Sequence, residues 1–288
     1  MQEIRRSGTW GSSLTSDEFA AIRSVGFEPV GQVLGAAVYN IGYTGGYNCP
    51  GAWGSWGYGI PARTVTQVSS QGGFGSFAPL VKTMYDARHK AIDRMTAECV
   101  ALGGHGIVGV RLSSGSTFAF GELEFTAMGT AVRAAVAAEP PAPFTSDLSG
   151  QDFARLVTAG WVPVGLALGI AIGSWHDDLS VTRQARPWSG NAEMAGWTEL
   201  VNQTRRDARR RLDQDVRRLG AEGVVTADMR MRVRQRDCPA TVGRRDHIVE
   251  VLLTGTAIVG FAGADRPIGP ALAIMPVGPW RGPRPGRH

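Results

Sequence analysis

The chain has 288 residues and a mass of 30.6 kDa, with 43% hydrophobic and 19% charged residues. That is enough apolar material for a packed core, so wholesale disorder is excluded, and no run approaches the roughly 18–20 apolar residues of a transmembrane helix. The net charge of +5 lies wholly in residues 145–288, and every basic residue except Lys82 and Lys90 is arginine.

The start, MQEIRRSGTWGSS, lacks the apolar core of a signal peptide. Cys49, Cys99 and Cys238 are too few and too scattered for a disulfide framework. A reduced, cytoplasmic protein is the expectation.

The first predicted element is a helix over Asp17–Val25, capped by Thr15 or Ser16 and ended by Gly26. A Gly-rich apolar strand follows at Pro29–Val38, and its glycines predict that its backbone closely approaches a neighbouring element. Phe77–Leu102 reads as a long amphipathic helix with Leu80, Met84, Ala87, Ala91, Met95, Cys99 and Leu102 in one stripe. Gly106–Ser113 and Leu123–Arg133 then form a hairpin.

The chain repeats this order. LTSDEFAAIRSVGFEPVGQVLGAAV from Leu14 matches LSGQDFARLVTAGWVPVGLALGIAI from Leu148, at an offset of 134. Ala101–Val108 matches Arg218–Val225 at 117, and Gly129–Val132 matches Gly255–Ile258 at 126. The changing offsets place extra residues between elements, where insertions are tolerated. In the second copy the long helix spans Trp197–Leu219, and the hairpin strands are Val224–Arg236 and Ile248–Val259.

The fold class is therefore α+β: two tandem βαββ units, each an antiparallel or mixed sheet under one long helix, preceded by a short helix. The units cover 14–134, with a Gly/aromatic insertion over 42–75, and 148–261. A Pro-rich linker spans 135–147, and a flexible Pro/Arg-rich tail spans 262–288.

The stretches Gly31–Gly35, Ala101–Val110 and Gly129–Val132, repeated as Gly165–Gly169, Leu219–Val225 and Gly255–Ile258, carry a resemblance. Their order is similar to that of the YbjQ-like family of small heavy-metal-binding-type domains. The resemblance implies a dodecin-like βαββ subunit that assembles into a ring, typically a pentamer. This chain departs from single-domain members in its tandem arrangement, its insertion and its tail.

Tyr47, Trp53, Trp56 and Tyr58 in the insertion suit an assembly contact, because aromatic rings favour burial in interfaces. Zinc-type pairs such as C-x₂₋₄-C are absent, and the densest metal-ligating cluster is His176, Asp177 and Asp178. A divalent metal is the one cofactor this suggests. No G-x-S-x-G, H-E-x-x-H or P-loop occurs, so no enzyme is expected. Arg205, Arg206, Arg209 and Arg210 are interleaved with acids, which argues for salt bridges over nucleic-acid binding. Ile268, Leu272 and Ile274 form an apolar segment in the tail that suits docking to a protein partner. The leading expectation is a homo-oligomeric scaffold or binding module of five chains. The alternative is a metal or small-ligand binder with sites at subunit interfaces.

Overall fold

The computed structural model describes residues 11–40, 67–70, 77–115, 122–135, 142–177, 184, 190–191, 193–238, 245–261 and 274–276. Helix α1 (Ser16–Ser24) starts at Thr15, whose hydroxyl accepts from Glu18 N–H while Glu18 accepts from Thr15 N–H. This reciprocal pair satisfies two N-terminal donors at once. Strand β1 (Phe27–Asn40) follows, then β2 (Gln67–Val68), the long helix α2 (Ala78–Ala101), β3 (Gly106–Gly115) and β4 (Glu122–Ala134). The second unit begins with β5 (Phe144–Thr145), α3 (Gly150–Thr158) and β6 (Trp161–His176). Helix α4 (Ala195–Arg218), β7 (Gly223–Asp237), β8 (Arg245–Gly260) and β9 (Ile274–Pro276) complete it.

The α+β expectation holds, and the repeat is visible bond by bond. β1 pairs antiparallel with β4, and its repeat equivalent β6 with β8, giving the orders β1-β4-β3-β5 and β2-β6-β8-β7-β9. The strands run longer than the apolar pattern predicts, because their outward ends carry polar and charged residues. Ser146 Oγ bonds Thr256 Oγ1 at 3.0 Å, and at the matching positions Ser12 Oγ bonds Thr130 Oγ1 at 3.3 Å. Leu168 N–H donates to Asp215, and its counterpart Leu34 N–H donates to Glu98.

The Gly-rich strands do approach the helices. A Cβ on Gly35 would lie 1.9 Å from Ala91 O, and one on Gly169 would lie 2.3 Å from Ala208 O. Gly103 and Gly220 end the two long helices with φ of 72° and 69°, the left-handed conformation that favours glycine.

The buried stripe of helix α2 serves both sheets. Toward its C-terminus Ala91, Met95 and Cys99 pack on Val33, Ala37, Ile107 and Ala131 of its own sheet. Toward its N-terminus Val81 and Met84, with the cap residue Phe77, pack against Ile170 and Ile172 of the second sheet. Helix α4 packs Ala208, Leu212 and Val216 on Ala167, Ala171 and Val251. Helix α2 also runs along the β6 edge of the second sheet, where its His89 stands 3.4 Å from Arg218 of α4. No helix among the described residues is long and apolar enough to cross a membrane.

Three segments add strands beyond the repeat. β2, within the expected insertion, lies antiparallel on Gly173–Ser174 of β6 in the second sheet. β5, within the stretch expected as linker, lies parallel on Gly106–Ile107 of β3. β9, within the tail, lies antiparallel on Gly223–Val225 of β7.

Candidate metal centre

The last residue of β6, His176, stands opposite Asp246 near the start of β8, in register. Strand alternation sends both side chains to the face that carries Ile170, Ile172 and Ile248. Cys238 follows the end of β7 and closes the same corner. His176 Nδ1 lies 2.8 Å from Asp246 Oδ1. The imidazole nitrogen, thiol sulfur and carboxylate oxygen all lie within 4.8 Å of one another. His176 is 8% exposed, Cys238 6% and Asp246 0%. Phe77, Val81 and Met84 of α2 pack beside them, so the corner is walled by the other unit.

Arg236 Nε stands 3.4 Å from Asp246 Oδ2, leaving Oδ1 turned to His176. One thiol, one imidazole and one carboxyl form a mixed S/N/O donor set that suits a borderline-soft divalent ion. Three protein ligands of this kind also leave a coordination position open. The residues therefore fit such an ion in number and in chemistry.

Of the cluster read from sequence, His176 belongs here. Asp177 points the other way: its Oδ1 lies 2.9 Å from His247 Nε2 and accepts from Trp197 Nε1 at 3.4 Å. The Trp197 ring lies 4.4 Å from that of His247. Asp178 lies outside the described residues, as do Tyr47, Trp53, Trp56, Tyr58, Ile268 and Leu272. Ile274 begins β9, opposite Val225.

Sequence reasoning did not bring Cys238 and Asp246 to His176. They are 62 and 70 positions away in the chain, and no spacing motif links them. The available signal was strand register: aligning the second hairpin with β6 brings Asp246 opposite His176. Cys99, by contrast, is where its helical stripe put it. It is fully buried, its thiol donates to Gly106 O at 3.4 Å, and burial pushes its pKa up to about 11. It is an inert core thiol.

A second feature lies where the units meet. A cavity of about 360 Å³ is lined by Glu18, Arg111, Asp147, Asp228 and Arg230, among others. Burial raises the Asp147 carboxyl to about 6, against a hydroxyl hydrogen bond from Thr256 at 2.5 Å that lowers it.

Two comparisons bear on these sites. Residues 63–135 and 164–260 match the YbjQ family, described as "Putative heavy-metal-binding". The chain is also similar to a protein of Mycobacterium tuberculosis named as an encapsulin nanocompartment protein. The two are 35% identical over 223 residues, which is 74% of this chain and 75% of the relative.

Proposed function

This chain belongs to the YbjQ-like family, and from that premise we propose that it is a non-catalytic binding protein for a borderline-soft divalent cation. His176, Cys238 and Asp246 hold the ion. The carrying observation is the burial of a thiol, an imidazole and a carboxyl together at the end of one sheet. Cys238 supplies the soft ligand that distinguishes such ions from magnesium or calcium. Arg236 orients Asp246, and the apolar wall from α2 keeps water from competing.

The test is native mass spectrometry of protein purified without chelator and titrated with Cd²⁺. One ion per chain is expected, with a thiolate-to-metal absorption band. Cys238→Ser should lose both, while Cys99→Ser and Cys49→Ser keep them. Absence of stoichiometric uptake, or uptake that survives Cys238→Ser, would overturn the assignment.

A second reading concerns assembly, and the relative named for a nanocompartment favours it. In this reading the chain is a cytoplasmic homo-oligomer, five chains in the ring form implied by its family, serving as a scaffold. Its tail docks a protein partner through Ile268, Leu272 and Ile274. The same native spectra count the chains, and a monomer at all concentrations would reject the reading.

A further inference from the structure

The junction between the two units is itself a pattern that the chain can repeat. Inside the chain, the outer face of the second sheet is covered. Leu166, Leu168, Ile170 and Ile172 on β6 are at most 5% exposed. Helix α2 supplies cover through Val81 and Met84, with the cap residue Phe77, on Ile170 and Ile172, and its Tyr85 hydroxyl closes the strand edge, donating to Leu168 O at 3.2 Å and accepting from Ile170 N–H at 2.8 Å. Arg88 is buried on the same helix, over the Phe125 ring at 4.7 Å and in the field of Glu250.

On the matching face of the first sheet no helix lies among the described residues. Gln32, Leu34, Ala36 and Val38 stand where β6 has Leu166, Leu168, Ile170 and Ile172. Leu34 is 47% exposed and Val38 51%. On a single chain this leaves an apolar pair in water on an outer sheet face, whereas its counterpart is dry.

We propose that this face seats helix α4 of a second copy of the chain. The proposal rests on the self-association read above and specifies its surface. Two observations favour α4 as the occupant over another partner. First, α4 is the repeat equivalent of α2, and its exposed Asn202 and Arg205 stand where α2 has Tyr85 and Arg88, the flank by which α2 meets the second sheet. Second, the charges correspond. Arg88 and Glu250 at the internal junction match Arg205 on α4 and Glu124 on β4, and Arg205 is exposed. Asn202 takes the place of Tyr85, and its amide can also donate and accept at a strand edge.

The contact is head-to-tail: the α4 end of one chain meets the first-sheet end of the next. Such heterologous contacts close into rings when the rotation per step allows it, and otherwise run on as filaments. The position of β9 fits the same pattern. It lies on Gly223–Val225 of β7, at the site equivalent to the one β5 uses on Gly106–Ile107 of β3.

Sedimentation and native mass spectrometry of full-length variants test the contact. Leu34→Glu with Val38→Glu should reduce the assembly to single chains while leaving the circular dichroism and melting of the chain intact, since both side chains lie outside the core. Arg205→Glu and Glu124→Arg should each weaken association at least tenfold, and the double swap should restore it. A wild-type protein that is a monomer rejects self-association and this surface together. An assembly that all of these variants leave unchanged keeps self-association and overturns the surface alone. Single chains from the sheet variants without recovery in the double swap would overturn the α4 pairing.

Discussion

The two units share an inner face and differ on the outer one. Between sheet and helix, Gly35 and Gly169, Ala91 and Ala208, and Glu98 and Asp215 occupy matching positions and make matching contacts. On the flank that faces away from their own sheets, α2 presents Tyr85, Arg88, His89 and Ile92, and α4 presents Asn202, Arg205, Arg206 and Arg209 at the matching positions. The difference shows that the fold is fixed where backbones nearly touch. What lies beyond each helix selects the rest: a sheet within the chain for α2, and a polar surface for α4.

The sharpest way to break the shared face is Gly169→Val. Any β-carbon there meets Ala208 O at 2.3 Å, which is backbone and cannot rotate away. The expected loss is about 3 kcal/mol or more, the upper part of the range for overpacked cores. Gly35→Val should behave alike in the first unit. Gln32→Ala, on the outer side of the same strand, should shift stability by less than about 0.5 kcal/mol. Denaturant melts of the three variants measure the contrast. Equal losses at Gly169 and Gln32 would mean that the close approach is not what sets the inner face.

This division explains what the sequence made legible. The inner face could be read because close packing restricts residue type: glycines recur at the crossings, and small or apolar residues recur every three to four positions. Cys99 followed from the same periodicity. The metal corner could not be read, because its residues come from three strand ends and only the register of β6, β7 and β8 joins them. The strand pairing of Phe144–Thr145 and Ile274–Pro276 was also hidden. Both segments are short and sit among prolines, and their partners lie far along the chain.

The internal junction can be loosened without touching either inner face. Tyr85→Phe keeps the ring and removes the hydroxyl that serves Leu168 O and Ile170 N–H. Tyr85 is largely buried, and burial raises its pKa above the ordinary value, so the hydroxyl stays protonated and able to donate at neutral pH. Leaving two strand-edge groups without that partner should cost about 1–3 kcal/mol. Asn202→Ala, at the equivalent exposed position, should cost nearly nothing in the isolated chain. Urea melts at low concentration compare the two. A neutral Tyr85→Phe would mean that apolar contacts alone hold the units together.

The smallest expected effect concerns Asp147, where the second unit meets the cavity and the first unit has Ser13 instead. Burial raises the Asp147 pKa from 3.8 to about 6, so the folded chain binds this proton more tightly than the unfolded chain does. Its contribution to stability is therefore greatest below about pH 4 and declines as pH rises through about 6. Above that window the chain carries a buried carboxylate that the Thr256 hydroxyl only partly compensates. Asp147→Asn removes the ionisation and keeps the acceptor that Thr256 uses. At pH 7 the variant should be more stable by about 1–2 kcal/mol, less than the full shift implies because solvent still reaches the side chain. At pH 4 the two proteins should melt together. Thermal melts between pH 4 and 8 would show the wild-type curve falling away from the variant across that range. Parallel curves would mean that Asp147 ionises without cost, and that the asymmetry between Asp147 and Ser13 has no energetic consequence for the junction.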